Sequence, residues 1–232
     1  MIQENKKNRG ELFENTLYFC LTLFLISFSD TVFFSFNSNH SIVALGQFVM
    51  VAFSILCFLI CFLRQYKHVN KDYLFLLIAV LFIVISAVYH SEFTGGYISR
   101  IALFVLGFCV CKICDVKKIL QMYQKIMILI CVFSLIGFVV MTVYGPLTFL
   151  PKIINTSGRT FYWFGFSFMT LGMPARNYGL FTEPSRFQAY INLSLIIEFF
   201  CCEGKLNYKR IILFVATLLT TYSTTGFIAF GC

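Results

Sequence analysis

The chain has 232 residues, of which 59% are hydrophobic and only 12% are charged, and its mean hydropathy is +0.84. Soluble domains carry about 25% charged residues, so this composition excludes an ordinary soluble domain and predicts an integral membrane protein in a lipid bilayer. The formal net charge of +8 does not indicate a nucleic-acid partner, because the basic residues are distributed as a membrane topology requires.

The hydrophobic runs predict an all-α fold, a polytopic transmembrane helix bundle that forms a single integral membrane domain over residues 1–232. The first ten residues are polar and basic, and the apolar run from Leu17 is followed by no small-residue cleavage site. A retained first helix is therefore favoured over a signal peptide. The about seven predicted spans cover residues 15–35, 42–63, 73–90, 97–114, 126–145, 184–202 and 211–230.

The basic residues predict the orientation of these spans. Thirteen of the eighteen lysines and arginines lie in the amino-terminal segment and in every second connection after it. This asymmetry predicts a multi-pass protein of the cytoplasmic membrane with its amino terminus in the cytoplasm. One larger external loop, residues 146–183, then lies between spans five and six, and loops of this length are usually functional or disordered.

The aromatic residues of this loop argue against disorder. Phe164, Phe166 and Phe168 alternate with other residues, which is typical of a short strand or of a re-entrant segment at the interface. Tyr162 and Trp163 can stack on the faces of sugar rings, or they can belong to an interfacial aromatic belt. The sequence leaves both alternatives open.

The ten cysteines do not indicate a disulfide framework. Nine of them fall in or near the predicted cytoplasmic halves of helices, and the predicted external loop has none, so they are interpreted as small apolar fillers. Cys109, Cys111 and Cys114 lie close together, but neither a histidine nor a second cysteine pair accompanies them. No metal and no cofactor are predicted.

The stretch RNYGLFTEPSRFQAY, residues 176–190, concentrates charge at the start of the sixth span. Thr182 or Glu183 can cap this helix, with Pro184 in its first turn. The free N–H groups and positive dipole end then favour an anion, and Arg186 and Arg176 add fixed cations that suit a pyrophosphate. The alternative is that both arginines reach toward lipid headgroups.

Two further charged residues are candidates for the same site. Arg100 lies a few residues into the fourth span and is either a third phosphate ligand or an arginine that reaches the interface. Glu183 is the acidic residue of the cluster and the candidate catalytic residue. It can act as a base, as a ligand for a sugar hydroxyl, or as the ion-pair partner that orients Arg186 three residues later.

The carboxy-terminal part of the sequence resembles the O-antigen and capsular polysaccharide polymerase family, which is of the Wzy type and is related to the O-antigen ligases. The resemblance is carried by the segment RNYGLFTEPSRFQAYINLSLIIEFF, a basic turn and the following LLTTYSTTGFIAF. The resemblance covers residues 176–230; earlier spans match in number and hydropathy alone. The first part of the motif is matched by Arg176, Gly179, Phe181, Glu183 and Pro184, and the second by Ser223, Thr224, Thr225 and Gly226.

The resemblance implies a glycosyltransferase that joins undecaprenyl-pyrophosphate-linked oligosaccharides at the outer face of the membrane. Arg176 and Arg186, and more weakly Arg100, would hold the leaving pyrophosphate, Glu183 would orient them or contact sugar, and other polysaccharide export proteins would be partners. Family members are larger, so the chain is expected to be the amino-terminal part of a longer polymerase, without a second external loop that contributes to the active site.

Three other functions are compatible with these residues, and one of them is a structural membrane subunit without chemistry. A ligase-like glycan transferase would share the donor chemistry and differ in its acceptor. A polysaccharide transporter or flippase would show broken helices and ionisable residues near the bilayer midplane, whereas the charges here lie mostly at span ends.

Overall fold

A computed structural model gives the fold, which is mostly helical (74%). For residues 2–13, 69–71 and 95 it describes the backbone alone. The residues that it describes are 2–29, 31–34, 39–63, 69–90, 95–145, 147–155, 158–170, 176–201 and 206–223.

Seven helices lie within these ranges, and four of them are long and apolar enough to cross a membrane. The helices are α1 (Ile2–Ser27), α2 (His40–Leu63), α3 (Val69–Tyr89), α4 (Gly95–Ile113), α5 (Val116–Tyr144), α6 (Pro184–Ile196) and α7 (Tyr208–Thr220). The four candidate spans are α2 to α5, while the apolar part of α1, Glu14–Ser27, is shorter. The predicted bundle is thereby confirmed as a mostly helical chain with four candidate spans, and the full set of about seven stays a prediction.

Several helices differ from the predicted spans at their ends. α1 covers Ile2–Ser27, whereas the span was predicted over residues 15–35. α5 begins at Val116 rather than near residue 126, because its first turns are amphipathic instead of uniformly apolar: Met122 is buried and Lys125 is exposed. α7 ends at Thr220, although the span was predicted to reach residue 230. Tyr222 then adopts the left-handed conformation (φ 47°) that commonly follows a helix end. The predicted continuation from 224 to 230 lies outside the described residues.

The elements form two compact units, one made of Met1–Asn39 and Lys117–Cys232 and the other of His40–Val116. In the second unit, the Ser54 hydroxyl donates to the Ala102 carbonyl oxygen (2.8 Å) and so joins α2 to α4. The outward faces of α2 and α3 carry large exposed apolar side chains, among them Phe48 and Phe62 of α2 and Phe82 of α3. Such surfaces suit contact with lipid.

The core of the first unit lies between α5, α6 and α7. Ile130 of α5, Phe187 and Ile191 of α6 and Phe214 of α7 are fully buried in one cluster. α6 continues into a π-helical turn, Ile197–Cys201, whose buried Glu198 accepts the backbone N–H of Asn207 (3.1 Å) just before α7. The two helices are thus fixed at this end by a carboxylate and packed together along their apolar faces.

The predicted external loop contains an antiparallel sheet that an all-α fold does not include. Its strands are β1 (Lys152–Ile154), β2 (Thr160–Phe164) and β3 (Ser167–Thr170), in the order β1-β2-β3. A two-residue turn, Gly165–Phe166, joins β2 to β3, which places Phe164 at a strand end and Phe168 in the next strand. The three phenylalanines therefore do not alternate along one short strand, as one of the two interpretations had it, but are divided between two strands and the turn that joins them. The side of the membrane on which this sheet lies stays a prediction.

Candidate anion-binding site

Residues 176–183, between β3 and α6, form a backbone framework that is fastened to three other parts of the first unit. The carbonyl oxygen of Gly179 accepts the N–H of Phe168 in β3 (2.7 Å), and that of Leu180 accepts the N–H of Val32 (3.0 Å). The N–H of Asn177 donates to the carbonyl oxygen of Thr220 (3.0 Å) at the end of α7. Residues 177–182 are all buried. This segment, called the 176–183 loop below, is thus a rigid platform.

Asn177 is the polar centre of the platform and is 3% exposed. Its side-chain amide Nδ2 donates to the hydroxyls of Ser134 in α5 (3.1 Å) and Thr220 in α7 (2.9 Å), and its Oδ1 accepts the N–H of Gly179 (3.1 Å). A buried amide must find such partners to offset the loss of water. One side chain therefore joins two helices to the loop, directly after Arg176.

Gly179 is the residue that allows the loop to pass close to α6. Its φ is +55°, in the left-handed region, and a Cβ there would lie 2.8 Å from Cε2 and Cζ of Phe187. Phe187 is fully buried, so its ring has no free space in which to move. A glycine is the residue that meets both conditions. Gly179 and the fully buried Phe181, two of the residues on which the resemblance to the polymerase family rests, are thus framework residues.

The charged residues of the motif lie on the outside of this framework, where α6 begins. Glu183 occupies the position before the helix in an extended conformation (φ −138°, ψ 143°), and Pro184 follows it inside the first turn. Of the two predicted capping residues, Thr182 and Glu183, it is Glu183 that occupies the N-cap position, but its side chain makes no capping hydrogen bond and its carboxylate is turned toward Ser185 and Arg186. That rotation leaves the carboxylate at the surface beside the cation.

The ion pair between Glu183 and Arg186 is present, with 3.7 Å between Oε2 of Glu183 and Nε of Arg186. The side chains are 59% and 33% exposed, so solvent screens the pair and it contributes a few tenths of a kcal/mol, about 0.2–1. The pair therefore favours positions of the guanidinium near the start of α6 and adds little to the stability of the fold. Arg176 is exposed at the other end of the loop.

Arg100 belongs to the second unit. Its guanidinium carbon lies 5.3 Å from the ring centroid of Tyr97, one turn earlier in α4, and the residue is exposed. A cation over a ring face is a modest, about 0.5–1 kcal/mol, attraction at an exposed site. The predicted role of Arg100 as a third phosphate ligand stays a prediction.

The two aromatic residues predicted to contact sugar lie on opposite faces of β2. Tyr162 is buried in a small cluster with Met141 and Met169, so little of its ring is open to a ligand. Trp163 is 44% exposed, and its indole Nε1 donates to the carbonyl oxygen of Gly165 (2.5 Å) while its ring meets that of Phe33 edge-on (5.5 Å between centroids). Trp163 is therefore the better placed of the two for stacking.

One cation that the sequence did not single out lies against the 176–183 loop. Arg159, the residue just before β2, donates from Nη1 to the hydroxyl of Tyr178 (2.9 Å). Nothing in the spacing of Arg159 and Tyr178 along the chain could have indicated this contact, because it depends on how the β1–β2 hairpin packs. Asn177 was missed for a similar reason: an asparagine in a polar stretch gives no sign of burial.

The described cysteines carry free thiols, and among the described residues no group of three or more histidine, cysteine or acidic side chains could hold a metal ion. The positive charge around the start of α6 is that of the guanidinium groups of Arg176 and Arg186. Such groups bind phosphate oxygens through paired, charge-assisted hydrogen bonds.

Comparisons with family models, with curated proteins and with solved structures found no match to this chain. The function is therefore inferred from the charged groups around the 176–183 loop and from the apolar helices.

Proposed function

We propose that this chain is a membrane polysaccharide polymerase that joins undecaprenyl-pyrophosphate-linked oligosaccharides at the outer face of the cytoplasmic membrane. The observation that carries the proposal is that buried residues of the 176–183 loop fix its backbone while charged residues lie at its surface. Gly179 and Phe181 are buried and fix the backbone, while Arg176, Glu183 and Arg186 present charge at its surface. A platform of this kind can hold cations in place before a substrate arrives, which is what electrostatic catalysis requires.

The reaction would proceed by displacement at the anomeric carbon of the donor. A hydroxyl of the acceptor glycan attacks that carbon, a new C–O bond forms, and the bond to the pyrophosphate breaks with its electron pair going to the phosphate oxygen. Arg176 and Arg186 neutralise the charge that develops there. Glu183 orients Arg186 from 3.7 Å, and an exposed carboxylate at this place also suits acceptance of the hydroxyl proton.

The apolar helices are compatible with a substrate that is anchored in the membrane. A chain with four helices able to cross a bilayer holds its loops at the lipid surface, where a pyrophosphate on a polyprenol carrier also lies. The proposed orientation places the amino terminus in the cytoplasm and residues 146–183 outside. Partners would be the lipid-linked oligosaccharide and other polysaccharide export proteins.

The test is the length of the glycan made by cells in which an Arg176→Ala variant replaces the native protein. Losing a charge-assisted contact to a phosphate costs about 1.5–3 kcal/mol, which corresponds to roughly a tenfold to hundredfold loss of rate. We expect long chains to disappear from the gel ladder at unchanged protein level. Lys152→Ala is the matched control, because Lys152 is an exposed cation of the same predicted loop.

An Arg176→Ala ladder identical to the wild-type ladder would refute the proposal. Purified protein given donor and lipid-linked acceptor would separate the polymerase from a ligase, because a ligase needs a different acceptor. Loss of long chains in the Lys152→Ala control as well would show a non-specific effect of charge and would also count against the assignment of Arg176.

A further inference from the structure

The β1–β2 hairpin fixes the backbone of Arg159. Its N–H donates to Oδ1 of Asn155 (2.7 Å), and its carbonyl oxygen accepts the N–H of Asn155 (3.0 Å). Asn155 is itself buried. The backbone position of Arg159 beside the sheet is therefore fixed, although the residue itself is exposed.

The side chain of Arg159 is directed by Tyr178. Besides the hydrogen bond from Nη1 to the tyrosine hydroxyl (2.9 Å), the guanidinium carbon lies 5.6 Å from the centroid of the tyrosine ring. Tyr178 cannot turn away, because it is 8% exposed and packs edge-on against Phe161 (5.8 Å between centroids). One of the five N–H donors of the guanidinium is used in this bond, and the residue remains exposed for the others.

This contact brings Arg159 to the 176–183 loop. Tyr178 is two residues after Arg176, so their Cα atoms are at most about 7 Å apart. Within residues 145–186 the sequence has four cations, Lys152, Arg159, Arg176 and Arg186, against the single carboxylate of Glu183. Among the described residues, neither Arg159 nor Arg176 has a carboxylate within ion-pair distance. The region thus holds more positive charge than it neutralises.

We infer that Arg159 is a phosphate-binding residue of the same site as Arg176, and that Tyr178 is the residue that positions it. The ligand class is a pyrophosphate group, which one guanidinium from the sheet and one from the 176–183 loop can hold from two directions. This inference rests on the proposed function, and it adds a cation from the sheet to those at the start of α6. Loss of the tyrosine hydroxyl would leave the charge of Arg159 in place but free its side chain to move.

The experiment measures binding of inorganic pyrophosphate to the full chain in phosphatidylcholine nanodiscs. Trp163 on β2, the single tryptophan of the sequence, is the fluorescent reporter, and calorimetry gives the same constant independently. We expect Arg159→Gln to weaken binding about tenfold and Tyr178→Phe about threefold, while Lys152→Gln binds as the wild type does. Arg159→Lys keeps the charge but loses the planar fork, so it is expected to fall between wild type and Arg159→Gln.

The outcomes separate this inference from the proposed function. Weaker binding by Arg176→Gln with unchanged binding by Arg159→Gln overturns the role of Arg159 and leaves the proposed function standing. Unchanged binding by Arg176→Gln, or no binding by the wild type, overturns the proposed function. If the wild type binds two pyrophosphates per chain and each single variant loses one of them, the two arginines do not share one anion and the inference is wrong.

A second arm distinguishes pyrophosphate from a lipid headgroup. Undecaprenyl pyrophosphate or phosphatidylglycerol is placed in the nanodiscs, and its competition with inorganic pyrophosphate is measured. Competition by the carrier lipid that Arg159→Gln reduces supports the inference. An effect of Arg159→Gln seen with phosphatidylglycerol alone would mean that Arg159 contacts headgroups, and this would overturn it. Unchanged thermal unfolding of Arg159→Gln and Tyr178→Phe shows that the variants are folded.

Discussion

Replacing Gly179 by alanine is expected to destabilise the first unit by about 2–5 kcal/mol, the sum of two separate effects. An alanine at φ +55° costs about 1–2 kcal/mol, because its Cβ crowds the following carbonyl oxygen. The new Cβ would also lie 2.8 Å from two ring atoms of the buried Phe187. Forcing an atom into a packed core costs about 1–3 kcal/mol more.

Gly158→Ala is the matched control. Gly158 has φ +78°, but a Cβ there meets no atom within 4 Å. It therefore carries the conformational cost of about 1–2 kcal/mol without the clash. Both substitutions stiffen the unfolded chain similarly, so this contribution cancels in the difference. The difference between the two variants, about 1–3 kcal/mol, isolates the contact with Phe187.

The assay is unfolding by sodium dodecyl sulfate in mixed micelles, followed by the fluorescence of Trp163. This tryptophan lies in β2, whose neighbour β3 is hydrogen-bonded to Gly179 through Phe168. Equal losses for Gly179→Ala and Gly158→Ala, within about 0.5 kcal/mol, would refute the argument that Phe187 excludes a side chain there. Adding Phe187→Leu to Gly179→Ala should recover part of the loss, because it removes the ring atoms in question.

Two further predictions follow from the same unit. Asn177→Asp would bury a carboxyl group whose pKa rises above about 3.9 in the folded state, since burial disfavours its charged form. The folded variant then binds its proton more tightly than the unfolded chain, so its free energy of unfolding should fall as pH rises above about 4. Unfolding measured at several pH values checks this. The same dependence on pH in the variant and in the wild type would contradict it. A Lys152→Cys variant should react with a membrane-impermeant maleimide on intact cells and Lys209→Cys only after permeabilisation, with the parent chain measuring the background of its own cysteines. The reverse labelling pattern would show that the predicted orientation is wrong.

The charged residues of the candidate site could be predicted from the sequence, but the contacts that their side chains make could be predicted only in part. Pro184 at the start of α6 and the ion pair of Glu183 with Arg186 follow from spacing within one turn of a helix, and both are present. The failure of Glu183 to cap α6 was not predictable, because the choice between capping and pairing depends on a side-chain rotation that local propensity does not set.

The sequence by itself located the four long apolar helices α2 to α5, because hydropathy is a local property that accumulates over about 20 consecutive residues. It also determined that charge gathers at residues 176–186. The tertiary structure alone decided that Asn177 is a buried junction between α5 and α7, and that Arg159 meets Tyr178. These contacts join residues far apart in the chain, and they arise from packing of whole helices and strands, which no short window of sequence contains.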